Sequence, residues 1–174
     1  MIDLHSHLLP GVDDGSRSIE QSVRVLERFA ADGVTVLACT PHLEASRAAR
    51  APVLAYAERM TALRAAAPAG IELRQGWEIM LDMPGADLTL PGLAIEGSRV
   101  VLVEFMRTAP PARGAQELFR LRTSGVVPLL AHPERYWGCT TAQVAEWRRV
   151  GAVVQTDASI LLDRGSMGRL ALSP

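Results

Sequence analysis

Cysteine is scarce in this sequence: Cys39 and Cys139 are the only two among 174 residues. Two thiols supply no disulfide framework, so a reducing cytoplasm is the expected compartment. An excess of either charge is also missing. Eighteen basic side chains stand against nineteen acidic ones, for a formal net charge of -1. Such a balance leaves no basic footprint for a nucleic-acid backbone, which argues against that partner. No run of roughly eighteen apolar residues occurs, so no membrane span is expected. A secretory leader is not expected either. The start lacks a basic segment, and Asp3, His5 and His7 interrupt any apolar stretch. There is no internal repeat, and no low-complexity segment beyond one alanine-rich stretch.

What is present is an alternation. Hydrophobic residues make up 48% of the chain, and its length suits one domain with a real core. Short apolar runs are followed by longer amphipathic segments. "MIDLHSH" reads as a first strand and "SIEQSVRVLERFAADG" as a helix. Ser18 and Gln21 fit a capping box there, Ile19, Val23, Leu26 and Ala30 form an apolar stripe, and Gly33 is a stop signal. "VTVLACT" is a second strand, "PVLAYAERMTALRAAAP" a second helix and "GIELRQGWEI" a third strand. A looser stretch runs from Leu81 to Gly97. "SRVVLVEF" is a fourth strand, "GAQELFRLRTSG" a helix and "VVPLLAHPERY" a fifth strand. Pro128 is awkward inside a central strand, which moves the expected start to Leu129. "TAQVAEWRRVG" is a helix and "AVVQTDAS" a sixth strand. Strands alternating with helices imply parallel pairing and an α/β fold.

The polar residues collect on this map. His5 and His7 lie at the carboxyl end of the first strand, His42 follows the second, Glu78 ends the third, Glu104 the fourth and His132 the fifth. All four histidines of the chain therefore lie at one edge, the edge that carries the active site in α/β architectures. Imidazole and carboxylate together are a ligand set for divalent transition metals. Residues i and i+2 of a strand share a face, so His5 and His7 can grip one ion together.

Blander readings stand beside these. Asp14 can simply turn the loop "DDGS", and Glu78 can be a surface charge. Glu104 directly follows "VVLV", where a carboxylate needs a partner. Arg135 in "HPERY" can pair with Glu134 or another acid, or offer its guanidinium fork to a phosphate. Cys39 reads as a core residue. Trp77, Trp137 and Trp147 read first as packing, with Tyr136 and Trp137 placed to wall a site. Ala45 and Ala145 stand where a cysteine-dependent phosphatase loop needs arginine, and no GxxxxGK[ST] phosphate loop occurs.

"DLHSHLLPGVDDGS", "TPH", "GWEI", "VEF" and "AHPERY", in this order, resemble the polymerase and histidinol phosphatase (PHP) superfamily. Within it they are most similar to the bacterial manganese-dependent tyrosine-protein phosphatases of capsular and exopolysaccharide biosynthesis. The resemblance implies one PHP-type domain over residues 1–174, folded as a distorted (β/α)7 TIM-like barrel. It implies up to three divalent ions, Mn2+ foremost, with Fe, Zn or Mg as alternatives. His5 and His7 would hold one, bridged by Glu104 to a second that Glu78 and His132 complete. Asp14 and His42 would hold the third, and Arg135 would be the catalytic phosphate-binding residue. The implied substrate is the phosphotyrosine-bearing tail of a tyrosine autokinase.

One departure accompanies the resemblance. The family ends its site with a late D-x-H motif on a last strand, and no histidine follows His132 here. Asp157 and Asp163 are too early and have no histidine two positions on. The expectation is a C-terminally incomplete domain that lacks its closing strand. Two other readings stay open: a small-molecule phosphatase, for histidinol phosphate for example, and a non-catalytic PHP module.

Overall fold

The computed structural model describes residues 1–108 and 111–157. The expected alternation is there. Strand β1 (Ile2–Ser6) leads to helix α1 (Ile19–Ala31), and β2 (Val36–Cys39) to β3 (His42–Glu44). A 3-10 helix (Ala45–Arg50) and α2 (Val53–Ala66) follow, then β4 (Glu72–Gln75) and β5 (Glu78–Met80). The last part runs β6 (Val100–Glu104), α3 (Gly114–Thr123), β7 (Val127–Ala131), a 3-10 turn (Pro133–Arg135), α4 (Thr141–Arg149) and β8 (Val153–Gln155). The segment from Leu81 to Gly97 holds no helix or strand. Asp163 and the end of "AVVQTDAS" lie outside the described residues, as does "GSMGRLALSP".

Every strand pairing is parallel, in two sheets ordered β1-β2-β4 and β3-β5-β6-β7-β8. The α/β class is therefore as expected. Among the described residues the sheets do not close into a ring, since β1 and β8 each keep one unpaired edge.

Six expected strands appear as eight among the described residues: the third is broken at Gly76–Trp77, and a short strand resumes at His42, beyond the expected end of the second at Thr40. The chain thus breaks at Thr40–Pro41 between β2 and β3 and at Gly76–Trp77 between β4 and β5. The breaks are side by side: Gly76 N donates to Cys39 O at 2.9 Å, and Glu78 N to Pro41 O at 3.0 Å. Proline removes a ladder donor. At Gly76, a Cβ would lie 3.0 Å from Ile95 Cγ1 and 3.3 Å from Thr40 Cγ2, so a side chain there would crowd both neighbours. The first halves join one sheet and the second halves the other. This crease makes His42 and Glu78 register partners on the second sheet.

Pro128 proves compatible with its strand, which begins at Val127 rather than Leu129. Val127 N–H points to the β6 side, donating to Arg99 O. Alternation turns Pro128 toward β8, whose pairing starts only at Leu129↔Val153. The missing donor thus faces a position with no ladder partner.

Helices cover the outer faces. Leu26, Met60 and Leu63 pack with Leu37 and Leu73 on the first sheet. Leu118, Leu121 and Trp147 pack with Val101, Val103 and Leu130 on the second. Each such fully buried side chain contributes about 1.5–3 kcal/mol of transfer free energy. On β6 the alternate residues Val100 and Leu102 face inward, where Leu4 of β1 joins Leu102, Leu129 and Ala131. Glu104 continues this inward register.

Helix α1 is half capped as expected. Ser18 Oγ accepts from Gln21 N at 3.3 Å, but Gln21 Oε1 accepts from Arg17 N rather than Ser18 N. The reciprocal box forms instead at Thr140 and Gln143, ahead of α4. The inward face of α1 is rotated from the expected stripe: Leu26 is buried with Ser22, while Ile19, Val23 and Ala30 are half-buried. Ser22 is drawn in because its Oγ donates to Leu8 O at 2.8 Å.

Candidate metal centre

The loop after β1 places the first ligand-type side chains. Ser16 N donates to His7 O at 2.9 Å and Gly11 N to Ser16 O at 2.8 Å, folding residues 8–16 back on the strand end. Arg59 Nη1 of α2 donates to Pro10 O at 3.1 Å. Gly15 lies against His7 so closely that a Cβ would collide with the His7 carbonyl oxygen and Cβ. Ser6 turns away from the histidines, donating through Oγ to Ala38 O at 2.8 Å. That leaves the two flanking imidazoles together, with their Nε2 atoms 3.3 Å apart.

Glu78 is the hub. Its side chain is 1% exposed, and all four histidines reach it. Oε1 lies 2.7 Å from His132 Nε2 and 3.2 Å from His5 Nε2. Oε2 lies 3.1 Å from His42 Nδ1 and 3.2 Å from His7 Nε2. The surface-charge reading of Glu78 is excluded. Burial alone would push its carboxyl up, but hydrogen bonds from His132, His42, His5 and His7 hold it well below the usual carboxylate range. Glu104 sits 3.7 Å from His42 Nδ1 and from His132 Nε2. Its carboxyl is raised, first by burial and then by the Glu78 charge. Burial works to lower His7, yet hydrogen bonds to Asp13 and Glu78 raise it to about 10. His42 is raised chiefly by its hydrogen bond to Glu78.

Three groups have ligand atoms within 4.8 Å of one another: His5, Glu78 and His132; His7, Asp14 and His42; His42, Glu78 and Glu104. All seven residues proposed from the sequence as metal ligands are thus in one cluster. Asp14 is its most exposed member, with Oδ1 3.5 Å from His42 Nε2. The nitrogen and carboxylate donors suit a borderline divalent ion. Among the described residues, buried His132 Nδ1 has no hydrogen-bond partner. His132 also adopts a left-handed backbone (φ 32°), rare for a residue with a Cβ, at the turn out of β7.

Arg135 follows one turn later, and its Nη2 donates to Asp157 Oδ2. Glu134 is not its partner; Glu134 Oε1 accepts from Asp157 N at 2.9 Å. His5, His7, His132, Arg135, Gln155 and Asp157 share the walls of a cavity of about 730 Å³ between β1 and β8. A second cavity, of about 590 Å³, opens beside His42 and Glu104, with Arg47, Arg50, Tyr56 and Trp77 on its walls.

The aromatics divide. Trp77 and Trp147 are buried, whereas Trp137 is 75% exposed and does not pack in the core. Tyr136 is buried, donating to Ala131 O at 2.7 Å and accepting from Phe105 N at 3.1 Å, which ties β7 to the end of β6. Cys39 is a core residue as expected.

Two site residues had no role in the sequence reading. Asp13 Oδ2 accepts from His7 Nδ1 at 2.7 Å, and Gln155 Oε1 accepts from His5 Nδ1 at 3.1 Å. Asp13 carried a signal, since an Asp two residues before glycine can close an Asx turn; its Oδ1 accepts from Gly15 N at 3.0 Å. Gln155 carried none beyond its place at a strand end.

Known proteins match this arrangement. The family model described as "Capsular polysaccharide synthesis, CpsB/CapC" matches residues 1–172. The putative tyrosine-protein phosphatase CapC of Staphylococcus aureus is 32% identical over 143 residues, covering 78% of this chain and 54% of that protein. The tyrosine-protein phosphatase YwqE of Bacillus subtilis is 26% identical over 151 residues, covering 78% and 55%. The chain spans about half the length of the curated relatives it matches. Among solved structures, a match comes from the crystallographic study of YwqE from Bacillus subtilis and CpsB from Streptococcus pneumoniae, described as unique metal-dependent tyrosine phosphatases. Its TM-score is 0.74 at 24% identity, over 92% of this chain and 68% of the other, a likeness of fold. With nearly its whole length inside the family model, the chain belongs to the CpsB/CapC family of capsular polysaccharide synthesis.

Proposed function

We propose that this chain is a metal-dependent phosphatase acting on phosphotyrosine, and that its substrate is the phosphorylated tail of a tyrosine autokinase of capsule synthesis. The observation that carries the reading is the convergence of His5, His7, His42 and His132 on buried Glu78 at one strand edge, with Glu104 and Asp14 beside them. The relatives' names supply the substrate class.

In this reading His5, His7, Asp14, His42, Glu78, Glu104 and His132 hold divalent ions, Mn2+ foremost and Fe, Zn or Mg as other fits. Such ions, when bound, polarise phosphoryl oxygens and acidify water near neutral pH. The protein supplies the rest. Glu78 stays ionised among the imidazoles and keeps them aimed at the cluster. Arg135 exchanges its Asp157 contact for a phosphoryl oxygen and stabilises charge as the ester bond breaks. Neither cysteine is needed as a nucleophile. The two sheets are read as walls of one distorted barrel, within a single PHP-type domain over residues 1–174. Among the described residues no helix is long and apolar enough to cross a membrane; a cytoplasmic site of action is part of the proposal.

The test is turnover by the metal-stripped and Mn2+-reloaded chain of a phosphotyrosine peptide against histidinol phosphate. Peptide hydrolysis that a chelator abolishes is the expected result. Preference for histidinol phosphate would move the assignment to a small-molecule phosphatase. Metal binding without turnover of either would leave a non-catalytic module.

A further inference from the structure

We infer that Gln155 and Asp13 are positioning residues that decide which ring nitrogen His5 and His7 present to the metal cluster. The inference rests on the metal-binding reading above and adds residues to it. A neutral imidazole carries its hydrogen on one nitrogen and its lone pair on the other, so an acceptor fixed at Nδ1 reserves Nε2 for a ligand role. Both histidines of the H-x-H pair are arranged in this way. His7 Nδ1 meets Asp13 Oδ2 at 2.7 Å and His5 Nδ1 meets Gln155 Oε1 at 3.1 Å. Both Nε2 atoms are aimed into the cluster, each 3.2 Å from a Glu78 oxygen that accepts their hydrogens while no ion is bound.

The two supports are themselves held. Asp13 accepts from Gly15 N at 3.0 Å and from His42 N at 3.3 Å, so one carboxylate sets the side chain of His7 and the backbone of His42. Gln155 does more. Its side chain crosses from β8 to β1, two strands with no ladder between them. Its backbone carbonyl accepts from His132 N at 2.8 Å. One residue thus meets both histidines of the His5–Glu78–His132 group, His5 through its side chain and the backbone of His132 through its main chain. Residues that orient metal-binding histidines in this manner characteristically contribute about 10- to 100-fold in metal affinity.

The experiment measures Mn2+ and Zn2+ affinity of the metal-stripped full chain by calorimetry, with the Co2+ absorption spectrum as a readout of ligand geometry. Gln155→Met keeps the side-chain length without the acceptor, and Gln155→Glu keeps the acceptor. Gln155→Met should bind metal about 10- to 100-fold more weakly, with an altered Co2+ spectrum. Gln155→Glu should stay close to the parent chain, and Asp13→Ala should resemble Gln155→Met. Parent-like affinity in Gln155→Met overturns the positioning role, as does equal loss in Gln155→Glu. If the parent chain binds no divalent ion, the metal-binding reading falls first and takes this inference with it, a result readily told from the other two.

Discussion

His42 and Glu78 are partners twice over: they face each other in the β3–β5 register, and His42 Nδ1 lies 3.1 Å from Glu78 Oε2. The pairing exists because both strands cross from one sheet to the other at the same level. It places a buried carboxylate at the point where four imidazoles meet, and several outcomes follow from the charge held there.

Glu78→Gln removes the negative charge that all four histidines share. Breaking a buried ion pair from one side typically costs about 3–5 kcal/mol. Metal-free Glu78→Gln should therefore unfold at distinctly lower urea than the parent at neutral pH, and should lose metal and phosphatase activity. Parent-like urea unfolding would contradict the hub role.

Arg135 stands apart from the ligand groups. Arg135→Ala should lower phosphotyrosine turnover by about 100- to 1,000-fold, the scale of losing one transition-state donor. Its partly exposed pair with Asp157 should contribute under about 1 kcal/mol to stability. Metal content by elemental analysis should be unchanged. Unaltered kcat would remove Arg135 from the chemistry.

Gly15 is required by contact rather than by backbone angle. In Gly15→Ala the new methyl meets the His7 backbone, which cannot swing aside as a flexible side chain would. Overpacking of this kind costs about 1–3 kcal/mol. Thermal unfolding should move down, and His7 should be displaced enough to lower metal stoichiometry. A crystal structure with His7 unmoved would refute this.

The two thiols should be poor nucleophiles. Burial pushes Cys39 up to about 12 and Cys139 up to about 11. Raised values mean less thiolate at any given pH below them, so alkylation should be slow at neutral pH and quicken for Cys139 as pH rises. Iodoacetamide should leave phosphatase activity intact in the folded protein. Rapid inactivation by the reagent at pH 7 would point to a different chemistry.

How much of this was legible follows from what each signal depends on. Strand ends can be read because period-two apolar runs stop where polar residues begin, and that placed six of the seven candidate ligands; Asp14, in the loop after β1, came from the family resemblance. The end of the second strand at Thr40 was read, but its resumption at His42 and the split at Gly76–Trp77 were not. Pro41 and Gly76 permit the breaks, and only the neighbouring strand beside each shows that the chain resumes on the second sheet. Pro128 was misjudged for a related reason: its fit depends on where β8 starts. Ser22 lies outside the expected α1 stripe, and only the distant Leu8 carbonyl explains its burial. Gln155 meets a partner 150 residues away, beyond the reach of any local pattern.

The crease in β2–β3 and β4–β5 has a mechanical consequence. His5 and His7 come from the first sheet's β1 and the loop after it, while His42, Glu78, Glu104 and His132 belong to the second sheet and its strand ends. The cluster is therefore a rivet through two plates. Any substitution that lets the plates slide, such as trimming Leu4 where it meets Leu102, acts on the rivet hole as well as on the core.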